Sequence, residues 1–150
     1  MNACISATAQ STPKRIVNNF DLEKLVDTTD EWIRSRTGII QRHIVDENEA
    51  TSDIATKVAK KLLAKTNLLP DEIDLIIVGT VTPDHSTPST AAIVQKNISA
   101  TKAWGFDLSA ACSGYIFGLE TGSNFISSGR YEKVMVIGID VMSSILDFKD

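Results

Sequence analysis

The sequence predicts an α/β fold, a mainly parallel sheet held between layers of helices. Three runs, 75–81, 103–108 and 133–140, read as strands, and the first and last are apolar and β-branched enough to be covered on both faces. Helical patterns lie between them, and strands alternating with helices imply right-handed crossovers and parallel pairing. With 150 residues, 43% hydrophobic and 23% charged, the composition fits one soluble globular unit. Neither an internal repeat nor a low-complexity tract nor a linker interrupts it.

Taken in order, residues 2–9 are small and apolar enough for a first buried strand, with Cys4 in its core, and 11–14 turn the chain. Asn18 or Asn19 can cap a short helix over 20–26. Thr28-Thr29-Asp30-Glu31 has the form of a capping box, with threonine at the cap and glutamate three residues on. The helix it starts should end near Thr37, with Gly38 taking the left-handed position beyond it. Residues 39–45 suggest a strand or hairpin segment. Thr51, Ser52 and Asp53 offer caps for a long helix reaching about Asn67, whose apolar stripe is Ile54, Ala55, Val58, Ala59, Leu62 and Leu63. Lys57, Lys60, Lys61 and Lys65 fall largely opposite, a face suited to solvent before an acidic partner. A short turn or helix at 70–73 precedes the first buried strand. The loop 82–89 ends with Pro88, suited to the first turn of a helix running to about Ile98. A further helix should run from Cys112 to Gly129.

Several function classes are disfavoured at this level. Net charge is −4 with acids and bases mixed, so no basic stripe exists to neutralise phosphates of a nucleic acid. Cys4 and Cys112 make neither a disulfide framework nor a metal spacing, and His43 and His85 have no third ligand nearby. The N-terminus lacks the pattern of a signal peptide, and no apolar run approaches membrane-spanning length. A reducing cytoplasm is the default compartment.

Chemistry points to the stretch 107–115, where one thiol sits at a strand-to-helix corner. A helix N-terminus presents unpaired N–H groups and about half a positive charge, and a cysteine placed there becomes more nucleophilic. Ser109, Ala110, Ala111, Ser113 and Gly114 are small enough to leave the sulfur uncrowded. Position alone leaves Cys112 open between this role and that of a buried small hydrophobe.

A resemblance narrows the choice. The order 26–33 (Val-Asp-Thr-Thr-Asp-Glu-Trp-Ile), then Arg36-Thr37-Gly38-Ile39 and Arg42-His43, resembles the opening of the β-ketoacyl-acyl-carrier-protein synthase III family. Thr82-Pro83-Asp84, Pro88-Ser89, Phe106-Asp107-Leu108, Ala110-Ala111-Cys112-Ser113-Gly114 and Gly138-Ile139-Asp140 follow at the family's spacing. The likeness covers essentially all 150 residues. It implies the N-terminal half of a thiolase-like αβαβα sandwich. Family members couple an acyl-CoA primer, often acetyl-CoA, to malonyl-acyl carrier protein, releasing CoA and carbon dioxide. By resemblance, Cys112 takes the acyl group as a thioester, and its own N–H joins the oxyanion hole. Trp32 and Arg36 match the mouth of the CoA tunnel, as an adenine-stacking face and a phosphate fork, and Thr28 lies near the adenine edge. Thr87 matches a loop that reaches the acyl pocket of the partner subunit, where it leaves room for a longer or branched primer. The resemblance further implies a homodimer, no metal, and no cofactor beyond the CoA thioester that is the substrate.

Two features depart from the family's pattern. Neither histidine matches the family's catalytic one, which with an asparagine comes from the C-terminal half. The chain ends at Asp150, just before a family arginine that stacks on adenine. The expectation is therefore a half-domain over 1–150 that exposes a large apolar face and cannot alone condense malonyl carrier protein. Three other readings stand beside this one: a relative making secondary metabolites, a truncated interaction module, and a nucleotide-binding domain. The last is disfavoured because no glycine-rich fingerprint follows the first strand.

Overall fold

A computed structural model describes residues 3–147; the expected chain ends at Met1, Asn2 and 148–150 lie outside them. Two compact units divide the described chain, 12–49 with 141–147, and 3–11 with 50–140.

The smaller unit is built on a two-stranded antiparallel ribbon, β1 (Arg15–Asn18) and β2 (Gln41–Ile44), with Arg15 opposite Ile44 and Asn18 opposite Gln41. Asn18 caps α1 (Asn19–Leu22) by accepting the Asp21 N–H at 2.9 Å. The helix expected over 20–26 stops at Leu22, because the chain turns there and the Glu23 carboxylate takes the Asp30 N–H at 2.6 Å. The next helix, α2 (Asp30–Thr37), corrects the expected capping box. Its cap is Thr29, accepting the Trp32 N–H at 3.1 Å, not Thr28. Gly38 takes the left-handed position as expected, with φ +71°.

Setting the cap at Thr29 puts Asp30 first in the helix, where the amide of the fully buried Asn19 donates to it at 2.8 Å. The same amide donates to the Ile39 carbonyl at 2.8 Å, so one side chain ties α1, α2 and the approach to β2. Asn19, with the Arg34 guanidinium second, holds the Asp30 carboxyl below its ordinary value. A lowered carboxylate value stabilises the fold above the ordinary value and loses that contribution as pH falls through the folded one. Acid is therefore expected to lower the melting temperature of the chain below about pH 4, and Asp30→Asn to flatten that dependence. Identical acid profiles for the two proteins would remove Asp30 as a cause.

In the larger unit, α3 (Thr51–Thr66) ends in a left-handed Asn67. At its start the Asp53 carboxylate accepts the Ala50 N–H at 2.9 Å, and Asp84 accepts the Ser52 N–H at 2.9 Å. Three parallel strands form the sheet, β3 (Leu75–Gly79) between β4 (Trp104–Leu108) and β5 (Val134–Gly138). Leu75 stands level with Trp104 and Val134, and Gly79 with Leu108 and Gly138. Ile76, Val78, Met135 and Ile137 form one core with Ala55 and Ala59 of α3 and Ala91 and Val94 of α4 (Thr90–Ile98). Alternation along the strands turns Ile77, Val134 and Val136 to the other face, against α5 (Gly114–Ser127). Helices thus cover both faces of the sheet, as the run pattern predicts. Pro88 lies ahead of the α4 cap, Ser89, and not in the first turn of the helix.

The expected first strand does not form: residues 3–10 join no ladder among the described residues. Their composition suits a strand, but backbone groups need a paired edge to become one. Here Lys65 and Lys61 of α3 donate instead to the Thr8 and Gln10 carbonyls, at 3.1 and 2.8 Å. Those two lysines therefore hold the N-terminal segment in place. Cys4 is exposed, not core, and helps line a groove of about 500 Å³ between residues 3–7 and β5. No helix of the described residues is long and apolar enough to cross a membrane.

Candidate active site

Cys112 lies beyond the carboxyl end of β4, where ligands of open parallel sheets bind. The expected helix start at Cys112 is corrected by one short element: a 3₁₀ turn over Ala111–Ser113 precedes α5, which begins at Gly114. Ala111, directly before the thiol, has φ +46°, a left-handed conformation that costs an alanine on the order of 1 kcal/mol. Ser113 closes the turn, its N–H and hydroxyl both donating to the Ala110 carbonyl at 3.2 and 2.7 Å. That hydroxyl is thereby drawn away from the first turn of α5, which receives no side-chain cap. The thiol itself is exposed. An accessible sulfur two residues ahead of an uncapped helix start rules out the buried-hydrophobe reading.

Glycines set the depth of this turn. Gly79, at the end of β3, packs so closely on Gly114 that a Cβ there would come within 2.7 Å of the Gly114 carbonyl carbon. Farther along α5, a Cβ on Gly118 would meet Val136 at 2.8 Å, and one on Gly122 would meet Val134 at 3.1 Å. Spaced by four, the three glycines share one face of the helix, and that face lies on the sheet. Away from that contact the helix carries Ile116 and Phe117, exposed by 61% and 52%.

The other expected site residues divide between the two units. Thr87 is exposed in the loop before α4, in the same unit as Cys112. Thr28, Trp32 and Arg36 belong to the smaller unit. Trp32 is 56% exposed, and the Arg36 guanidinium carbon lies 5.9 Å from its ring centre. Together they form a cationic-aromatic ledge, with the half-buried Thr28 just ahead of the helix cap. His85 is exposed in its loop, and His43 Nδ1 lies 2.6 Å from the Pro13 carbonyl oxygen, a structural contact. Among the described residues no group of three or more His, Cys, Asp and Glu side chains gathers to hold a metal.

Residue-by-residue reading of the motif missed two carboxylates. Asp107 accepts the Thr90 and Ala91 N–H groups at 2.7 and 2.8 Å, and Asp140 accepts the Val81 N–H at 2.8 Å. Both lie at carboxyl ends of strands and bind backbone far away in sequence, so no local pattern marks them.

Comparisons with known proteins agree with this geometry. The family described as 3-oxoacyl-[acyl-carrier-protein (ACP)] synthase III matches residues 106–150, the stretch that carries the thiol. A β-ketoacyl-[acyl-carrier-protein] synthase III of Chlorobaculum tepidum is 58% identical over 151 residues, covering 100% of this chain and 46% of that protein. The crystal structure of the Aquifex aeolicus 3-oxoacyl-[acyl-carrier-protein] synthase III superposes with a TM-score of 0.88 at 48% identity, over 93% of this chain and 45% of that one. The Thermus thermophilus β-ketoacyl-[acyl-carrier-protein] synthase III gives 0.93 at 38% identity, over 99% and 46%. A parallel sheet between helix layers, with the cysteine at its carboxyl end, defines a thiolase-like fold. The chain belongs to the β-ketoacyl-[acyl-carrier-protein] synthase III family and spans about half the length of the curated relatives it matches.

Proposed function

We propose that the chain is the N-terminal half of an acyltransferase that starts fatty acid synthesis. Cys112 takes an acyl group from acyl-CoA and passes it to malonyl-acyl carrier protein. In the first step the sulfur attacks the thioester carbonyl, a new S–C bond forms, and CoA leaves with the proton as its thiol. In the second, malonyl loses carbon dioxide, and the resulting carbanion displaces the Cys112 thiolate from the acyl carbon. The observation that carries this reading is the exposed thiol in the strained turn at the uncapped start of α5. Trp32, Arg36 and Thr28 are the CoA contacts in this reading, and no cofactor is needed beyond the thioester substrate.

A cytoplasmic homodimer completes the proposal. Its support is β4, which pairs on one side only among the described residues and carries Trp104, 43% exposed. Trp104 packs with Phe106, Phe125 and Tyr131 and donates to the Tyr131 hydroxyl at 2.8 Å. An outer strand backed by a rigid aromatic cluster is an edge suited to a second copy.

Incubation of the full-length enzyme with isotopically labelled acetyl-CoA, followed by mass spectrometry of its peptides, tests the central step. One labelled acetyl group on the peptide carrying Cys112 is expected, and label confined to other peptides would defeat the reading. Primer choice is read the same way. Thr87→Phe is expected to reduce loading from longer or branched acyl-CoAs by about tenfold relative to acetyl-CoA, a discrimination within what a pocket-filling ring supplies. Unchanged ratios would take Thr87 out of the acyl pocket.

A further inference from the structure

Two N-terminal helix ends face the carboxyl edge of the sheet, and the chain treats them in opposite ways. The first turn of α5, beside Cys112, has no side-chain cap, whereas that of α4 is covered from two directions. Ser89 takes the Ala92 N–H at 3.2 Å, and Asp107 takes those of Thr90 and Ala91. Hydrogen bonds from N–H groups to a carboxylate are about twice as strong as neutral ones. Thr90 is only 1% exposed, so water does not compete there. Asp107 belongs to β4, and the four-residue link to Cys112 is held again by the Thr80 N–H on the Leu108 carbonyl, at 3.1 Å. On the other side of the contact, Thr90 is three residues from Thr87.

From this geometry we infer that Asp107 is a positioning residue, locking the loop that carries Thr87 in register with the turn that carries Cys112. The inference rests on the reading that Cys112 is acylated and Thr87 contacts the acyl chain. It adds that primer selectivity and thiol reactivity are set through one carboxylate, and that neither moves without the other.

The test uses the full-length enzyme with Asp107→Asn, which gives up the charge and one acceptor. Asp107→Glu, which keeps both but lengthens the arm by a methylene, serves should the first fail to fold. In either variant the ratio of Cys112 loading by acetyl-CoA to loading by a longer acyl-CoA is expected to change by about threefold or more, and the iodoacetamide rate at Cys112 with it. Asp71→Asn breaks a contact of the same kind, 2.8 Å to the Thr101 N–H at the opposite end of the sheet, and should leave both readouts alone. A folded variant with both quantities unchanged overturns the inference, as does an equal change in Asp71→Asn. Should no acyl-CoA load even the unmodified enzyme, the proposed function fails instead. Asp107 is then judged by the iodoacetamide rate and by amide exchange at Thr90 and Ala91, expected to quicken together by about tenfold and contradicted if they do not.

Discussion

Cys112→Ala is expected to abolish acyl-enzyme formation in the full-length enzyme and to slow condensation by at least about 10⁴-fold. The size of the effect follows from the two-step route: without the sulfur there is no covalent acceptor, and the carbanion has nothing to attack. Stability should barely respond. The side chain is exposed and the turn is closed by Ser113 and Ala110, so the melting curve should move by no more than about 0.5 kcal/mol. Intact-mass measurement after exposure to acyl-CoA, together with a turnover assay, checks both halves of the statement. Residual loading near the unmodified level would assign the acyl group to another nucleophile, with Cys4, the other exposed thiol, the first to examine.

Gly79→Ala should disable the same site without touching the sulfur. The added methyl meets the Gly114 carbonyl carbon at 2.7 Å and its oxygen at 2.9 Å, both main-chain atoms at the root of α5 that cannot swing aside. Either β3 or the start of the helix must shift, at a cost of about 1–3 kcal/mol. A displacement near 1 Å at a reacting atom lowers rates by about a hundredfold. Gly129→Ala is the informative contrast. Its φ of +75° makes alanine costly, yet the space around it is open and it follows the far end of α5. It should lose about 1 kcal/mol of stability and retain loading at Cys112. If the two substitutions slow loading equally, general loosening and not the position of the turn explains the loss.

Much of the fold could be read from residue pattern because its determinants are local. The runs that became β3 and β5 are apolar on both sides and have few alternatives to burial, and Gly38 and Asn67 end their helices by their freedom in the left-handed region. What escaped reading depends on partners distant in sequence. Residues 3–10 look like a strand, but two lysines more than fifty positions away hold their carbonyls, and Cys4 went with them from core to surface. Thr28 and Thr29 are equally good caps in isolation, and the choice falls to the neighbour whose helix start gives Asp30 to Asn19. At the site, the thiol was legible through its small neighbours and the family likeness. The 3₁₀ turn, the left-handed Ala111 and the grip of Asp107 on α4 were not, since each is a property of main chain meeting main chain.

The glycine face of α5 has a consequence for how such a protein can change over generations. Where Gly114, Gly118 and Gly122 face the sheet no side chain separates helix from strand, so the location of the sulfur is fixed by contacts that tolerate almost nothing. Other bulk on the helix, Ile116 and Phe117, projects away from that contact and is exposed. Substitutions on that outer side can therefore accumulate, reshaping whatever surrounds the helix there, while the chemistry on its rim is inherited intact.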